Sequence, residues 1–214
     1  KTIVVSGLAY FSDAACGTSL ASIKYASPSV IVYAKITAND TLTTAAAVTY
    51  GCGTNCAATA TASSSTLSGV CVKLTISAPG TYIVSSVTSG QGSDTVSFSA
   101  STKIPVSVDI TAIAYYSDSA CSTSVTSVNL TNNTSTAYAK LTASGDLATA
   151  KAITFSCGTN CTSDALASAT TINGKCAKMT MTYAGEYIFS SASGMDTADT
   201  ITISATTKIK VQAS

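Results

Sequence analysis

Side chains alternate along "SVIVYAKIT" (residues 29–37), with Val32, Ala34 and Ile36 on one face and Tyr33, Lys35 and Thr37 on the other. The same alternation sets Val72, Leu74 and Ile76 against Lys73 and Thr75, and Val96, Phe98 and Ala100 against Ser97 and Ser99. A period of two predicts strands with one face on a core and one face in water. About seven such strands, separated by turn signals, are expected in each half of the chain, the pattern of a β-sandwich.

The halves repeat each other. Cys16, Cys52, Cys56 and Cys71 recur as Cys121, Cys157, Cys161 and Cys176, each at an offset of 105 (121 − 16). "AYFSDAAC" returns as "AYYSDSAC" and "STKIPV" as "TTKIKV", with no insertion between them. The inward set of the first copy returns as Ala137, Ala139 and Leu141, with Tyr138 and Lys140 outward. A repeat of about 100 residues is a whole domain, since solenoid units run to roughly 20–50. Two tandem domains are therefore expected, 1–107 and 108–214. "STKIPVSV" runs into "DITAIAYY" without the Gly/Ser tract of a flexible linker, which predicts a stiff junction.

Composition supports the all-β reading. Only 10% of the 214 residues are charged, Glu186 is the one glutamate, and Ser, Thr, Ala and Val predominate. Thr and Val favour the pleated sheet, whereas helix surfaces usually draw on Glu, Lys and Arg. A net charge of +1 without a basic cluster supplies no phosphate-neutralising field, so no nucleic-acid partner is expected. The longest apolar runs fall short of the ~20 residues of a spanning helix, so no membrane span is expected either. Residue 1 opens directly into the strand-like "KTIVV", which reads as a mature chain whose targeting segment, if any, has been removed.

"APGTYIV" (78–84) and "YAGEYIF" (183–189) place a glycine ahead of a strand that begins at Tyr82 or Tyr187. This resembles the E–F corner of immunoglobulin-like domains, particularly the prokaryotic Ig-like (Big-type) repeats of cell-surface and extracellular filament proteins. The resemblance implies two tandem Ig-like sandwiches. It does not extend to the antibody inter-sheet disulfide, because the chain has no Trp and no Cys two residues after either Tyr.

The cysteines admit three uses. Zinc sites prefer paired knuckles, but the spacing C-x35-C-x3-C-x14-C contains one short pair and two isolated residues. Redox chemistry prefers C-x-x-C at a helix start, and this is C-x-x-x-C among strands. Disulfides are the expected use of all eight, in an oxidising compartment or a hyperthermophile. Of the three connectivities open to each copy, the expected one is Cys16–Cys52 with Cys56–Cys71, repeated as Cys121–Cys157 with Cys161–Cys176. That choice treats 56–71 as a hairpin and puts Cys16 and Cys52 in loops at one end of the sandwich.

Nothing assembles into a catalytic device. There is no His for a Ser–His or Cys–His pair, and paired carboxylates are hard to find. Asp13 and Asp118 read as turn residues, and Asp109 as one isolated calcium-ligand candidate. Lys35 and Lys140 sit in mid-strand, where they resemble the isopeptide-forming lysines of some Gram-positive pilins. The acid that such chemistry needs is missing, since the counterpart of Glu186 is Thr81, and a lysine that discourages edge pairing is expected instead. Asn39, Asn129, Asn132, Asn133 and Asn160 each begin an N-x-Ser/Thr triplet, making them the candidate glycosylation sites.

The expected protein is thus not an enzyme and carries no cofactor or metal. It is an extracellular structural subunit that assembles with its own copies into a surface filament, pilus or sheath, joined by exchange of "KTIVV" or "TKIKVQAS". The alternative is an adhesin or carbohydrate-binding module, or an accessory repeat of a larger surface protein. Its partners would be surface glycans, met by Tyr10, Tyr115 and Tyr116.

Overall fold

The structure, a computed structural model, describes residues 1–213. It is all-β: the described residues form strands in several sheets packed together, with no helix. Two compact units emerge, one of Lys1–Ile23 with Ser27–Val106, the other of Lys24–Ala26 with Ser107 onward. The ladders are shorter and more numerous than seven per copy, because turns and bulges interrupt them. One strand, Ile104–Tyr116, runs unbroken through the junction of the repeats.

In unit 1 the main sheet runs Thr95–Phe98, Thr2–Phe11, Val30–Ala38, Cys71–Ile76, Cys56–Ala58. Thr2–Val5 lies parallel to Thr95–Phe98, and the remaining pairs of that path are antiparallel. The alternation seen in the sequence sets which face is covered. Val32, Ala34 and Ile36 are fully buried, as are Leu74 and Ile76 on the neighbouring strand, while Lys35 stays exposed. Shorter ladders, Thr49–Gly51 with Ser86–Ser89 and Gly80–Tyr82 with Ile104–Val106, bring in Tyr50, Tyr82, Ile104 and Val106, all buried.

Unit 2 repeats this plan. Its main sheet runs Cys161–Ser163, Cys176–Met181, Ser135–Ala143, Ile104–Tyr116, Ile201–Ile203. The pair Leu8↔Ile36 becomes Ile113↔Leu141, and the register shift between Val5 and Gly7 reappears between Ile110 and Ala112. Gly90 and Gly194 stand one position out of the 105-residue register (194 − 90 = 104) yet meet the same steric constraint. Both have left-handed φ (92° and 89°), and a Cβ there would run into the carbonyl of Ala47 or Ala152.

The Tyr corner is present in both units. The Tyr82 hydroxyl donates to the carbonyl of Ala78 at 2.7 Å, and that of Tyr187 to Tyr183 at 3.0 Å, four residues upstream in each case. A tyrosine hydroxyl bonded to the backbone a few residues upstream is also a feature of immunoglobulin-like sandwiches.

The cores exchange volume between copies. Unit 1 sets Tyr50 edge-on to Phe98 at 6.5 Å, whereas unit 2 stacks Phe155 on Phe189 at 4.7 Å. Tyr50 and Phe155 are counterparts, and the Tyr50 hydroxyl is buried with no hydrogen-bond partner among the described residues. An unsatisfied buried polar group costs about 1–3 kcal/mol. Tyr50→Phe, which copies unit 2, is therefore expected to stabilise unit 1 by about 1 kcal/mol. Urea denaturation checks this, and a fall in the midpoint would contradict it.

Candidate functional site

All eight cysteines are paired, and the pairing corrects the expected one. Cys16 bonds Cys71 and Cys52 bonds Cys56, repeated as Cys121–Cys176 and Cys157–Cys161. Register is the reason. Cys56–Ala58 does pair with Cys71–Ile76, but Cys56 stands opposite Ile76, at the far end of that strand from Cys71. Unit 2 likewise sets Cys161 opposite Met181. Cys52 and Cys56 instead bracket a turn in which Gly53 and Asn55 take positive φ (93° and 60°), so that their Cα atoms lie 5.6 Å apart.

The "SDAAC" and "SDSAC" loops present Cys16 and Cys121. The Asp13 carboxylate accepts the backbone N–H groups of Ala15 (3.1 Å), Gly17 (3.1 Å) and Thr18 (2.7 Å), while the Cys16 N–H donates to the Asp13 carbonyl at 3.0 Å. Asp118 holds Ala120, Ser122 and Thr123 in the same way. These loops keep Cys16 and Cys121 at φ 53° and 51°, a conformation that non-glycine residues seldom adopt. Each aspartate thus organises the approach of a cysteine to its partner.

Asp94 and Asp199 are buried and tie a loop to the strand that follows them. Asp94 accepts the Thr43 N–H at 2.6 Å and the Thr43 hydroxyl at 2.7 Å, whereas Asp199 accepts the N–H groups of Ala148 and Thr149.

Asp109 has no acidic counterpart in copy 1, where Val4 stands at its position. It is 1% exposed and meets the Lys24 ammonium at 2.5 Å, the Ser204 hydroxyl at 2.6 Å, the Thr202 hydroxyl at 3.1 Å and the Ser204 N–H at 3.1 Å. Burial works to raise the Asp109 pKa. Lys24 and the two hydroxyls outweigh that effect and hold the carboxyl below its ordinary range. The calcium expectation for Asp109 is thereby replaced by an ion pair inside unit 2, to which Lys24 belongs. Among the described residues no three His, Cys, Asp or Glu side chains are placed to share a metal.

Lys35 and Lys140 are exposed, but on central strands of their sheets, so protection of an edge is not their role. Lys140 lies 6.0 Å from the centre of the Tyr116 ring. Tyr10 and Tyr115, expected at a sugar-binding loop, are interior, and their hydroxyls donate to the carbonyls of Thr102 and Thr207 at 3.0 and 2.9 Å.

The titration behaviour follows. Backbone N–H groups of Gly17 and Thr18 lower the Asp13 pKa, Thr123 chiefly lowers that of Asp118, and Thr43 that of Asp94. A carboxyl that is more acidic folded than unfolded stabilises the fold above its unfolded pKa, about 3.9. That stability is lost as pH falls through the folded value. Burial pushes Tyr10, Tyr50 and Tyr115 up to about 12, so ionisation favours the unfolded chain once pH exceeds about 10. With no histidine in the sequence, the melting temperature is expected to stay level from about pH 5 to 9 and fall outside that range. A thermal-melt series across pH checks this, and a step near pH 6.5 would contradict it.

All five sequon asparagines are exposed. The Asn39 side-chain oxygen accepts the Val4 N–H at 2.8 Å, Asn129 pairs with Gln212 in a parallel ladder, and Asn160 (φ 63°) lies in the turn between Cys157 and Cys161. Asn132 and Asn133, singled out in the sequence by the clustered triplets of "NLTNNTST", form the tip of a tight hairpin closed by Thr131 and Thr134. Leu130, Asn133, Thr182 and Tyr183 line an open groove of about 480 Å³, a feature no periodicity in the chain signals. No helix among the described residues is long and apolar enough to cross a membrane. No protein-family model matches the chain, and no curated protein matches it.

Proposed function

We propose that this chain is an extracellular structural protein, a subunit that assembles with its own copies into a surface filament, pilus or sheath. One observation carries the reading: every cysteine is used in a covalent staple, and the set of staples is built twice. Such bonds persist in oxidising surroundings outside the cytosol. The rest of the chemistry accords with building material. The buried carboxylates hold backbone and hydroxyl groups within the fold, and the exposed strand faces are rich in Ser and Thr. A surface with so few charges gains hydration from sugar on the exposed sequons.

Assembly by strand exchange is the favoured route. Thr2–Val5 is held on one side by a parallel ladder of four residues, and Ile209–Gln212 pairs with Ser127–Asn129 and Gly185–Tyr187. Backbone pairing of either segment with a neighbouring subunit preserves its hydrogen bonds and side-chain alternation. Negative-stain microscopy of native material tests the reading, with ordered polymers expected. Monomers alone would oppose it, and intact polymers after removal of residues 1–6 would assign the exchange to the other end.

A further inference from the structure

We infer that Asn133 carries an N-linked sugar whose first residue lies across the ring of Tyr183. Two large hydrophobic side chains stand exposed among the described residues, Ile31 at 45% and Tyr183 at 63%. Tyr183 lines its groove together with Asn133, Leu130 and Thr182. Asn133 begins the triplet Asn133-Thr134-Ser135.

In the folded chain the hairpin holds this asparagine at its tip. Thr131 and Thr134 exchange backbone hydrogen bonds of 2.7 and 3.1 Å, and both residues between them take left-handed φ, 52° at Asn132 and 61° at Asn133. Asparagine is among the few side chains that tolerate this two-residue turn.

The other copy supplies an internal comparison. Pro28 stands where Asn133 would be, in "SPS", and Ala78 stands where Tyr183 would be. The sequon and the exposed aromatic occur together in one copy and are both missing from the other. A tyrosine ring is an amphipathic platform, apolar on its face and polar at its hydroxyl. A pyranose matches it, with a face of C–H groups and a rim of hydroxyls. The sugar would cover apolar surface that is otherwise left to water.

Attachment joins the side-chain nitrogen of Asn133 to the anomeric carbon of a sugar presented as a lipid-linked pyrophosphate. The bond from that carbon to the pyrophosphate oxygen breaks, the pyrophosphate leaves with the electron pair, and one amide proton passes to a base. Ser135, which completes the triplet, is buried, so attachment precedes closure of the Ser135–Ala143 strand onto its neighbours.

This inference does not depend on polymer formation. Glycopeptide mass spectrometry of the native protein is expected to find sugar on Asn133, and a bare Asn133 would overturn the inference. Nitration of native protein by tetranitromethane tests the stacking. Tyr183 is expected to react several-fold faster after enzymatic removal of the sugar, and equally fast in Asn133→Asp made in the same host, with Tyr116 as reference. Equal Tyr183 rates before and after sugar removal would overturn the proposed contact.

Discussion

Replacing Cys16 and Cys71 together by alanine is expected to destabilise unit 1 by about 4 kcal/mol. The bond spans 55 residues, so its loss returns a long loop of conformational freedom to the unfolded chain. The short bridge Cys52–Cys56, with a separation of 4, is expected to contribute only about 2 kcal/mol by the same arithmetic. For a unit of this size the larger loss corresponds to a melting shift of roughly 20 °C. Calorimetry of the two double variants measures the contrast. If the Cys52→Ala/Cys56→Ala protein proves the weaker, the loop argument does not govern this fold. Partial reduction with peptide mapping tests the pairing itself, because a Cys56–Cys71 peptide is incompatible with the register of the Cys56–Ala58 strand.

Asp109→Ala is the second large effect, expected to cost about 3 kcal/mol. It removes the acceptor shared by the Lys24 ammonium, the Thr202 and Ser204 hydroxyls and the Ser204 N–H. Breaking a buried pair typically costs about 3–5 kcal/mol. The lower end applies because the Lys24 side chain is 61% exposed and water takes over its charge. Asp109→Asn, which keeps an oxygen acceptor, is expected to recover part of the loss. The loss should also shrink as the solution is acidified through the folded pKa of Asp109, since the wild-type carboxyl is then neutral. Urea unfolding at neutral and acidic pH measures both, and an undiminished difference in acid would show that charge is not the source.

Much of the fold was legible along the chain. Period-two alternation placed Val32, Ala34 and Ile36, and later Ala137, Ala139 and Leu141, inside. The glycine-then-tyrosine pattern marked corners where Tyr82 and Tyr187 do bond upstream carbonyls. The aspartates before Cys16 and Cys121 also serve their own turns, as local chemistry implies. These features survive translation into three dimensions because each depends on neighbours within a few residues.

The candidate sites were less legible. Asp109 resembled a solitary ligand until Lys24, far away in sequence, was placed against it. Tyr10 and Tyr115 lay beside polar loops, yet their rings turn inward. Tyr183 is exposed, and Asn133 joins it only because a hairpin tip and a corner converge.

Periodicity, duplication and composition alone determined that this is an all-β protein with eight cysteines arranged as two matching sets. Only the tertiary structure decided which sulfur meets which. Alternation specifies the face of a strand but not how far one strand slides along the next, and that slide places Ile76 rather than Cys71 opposite Cys56.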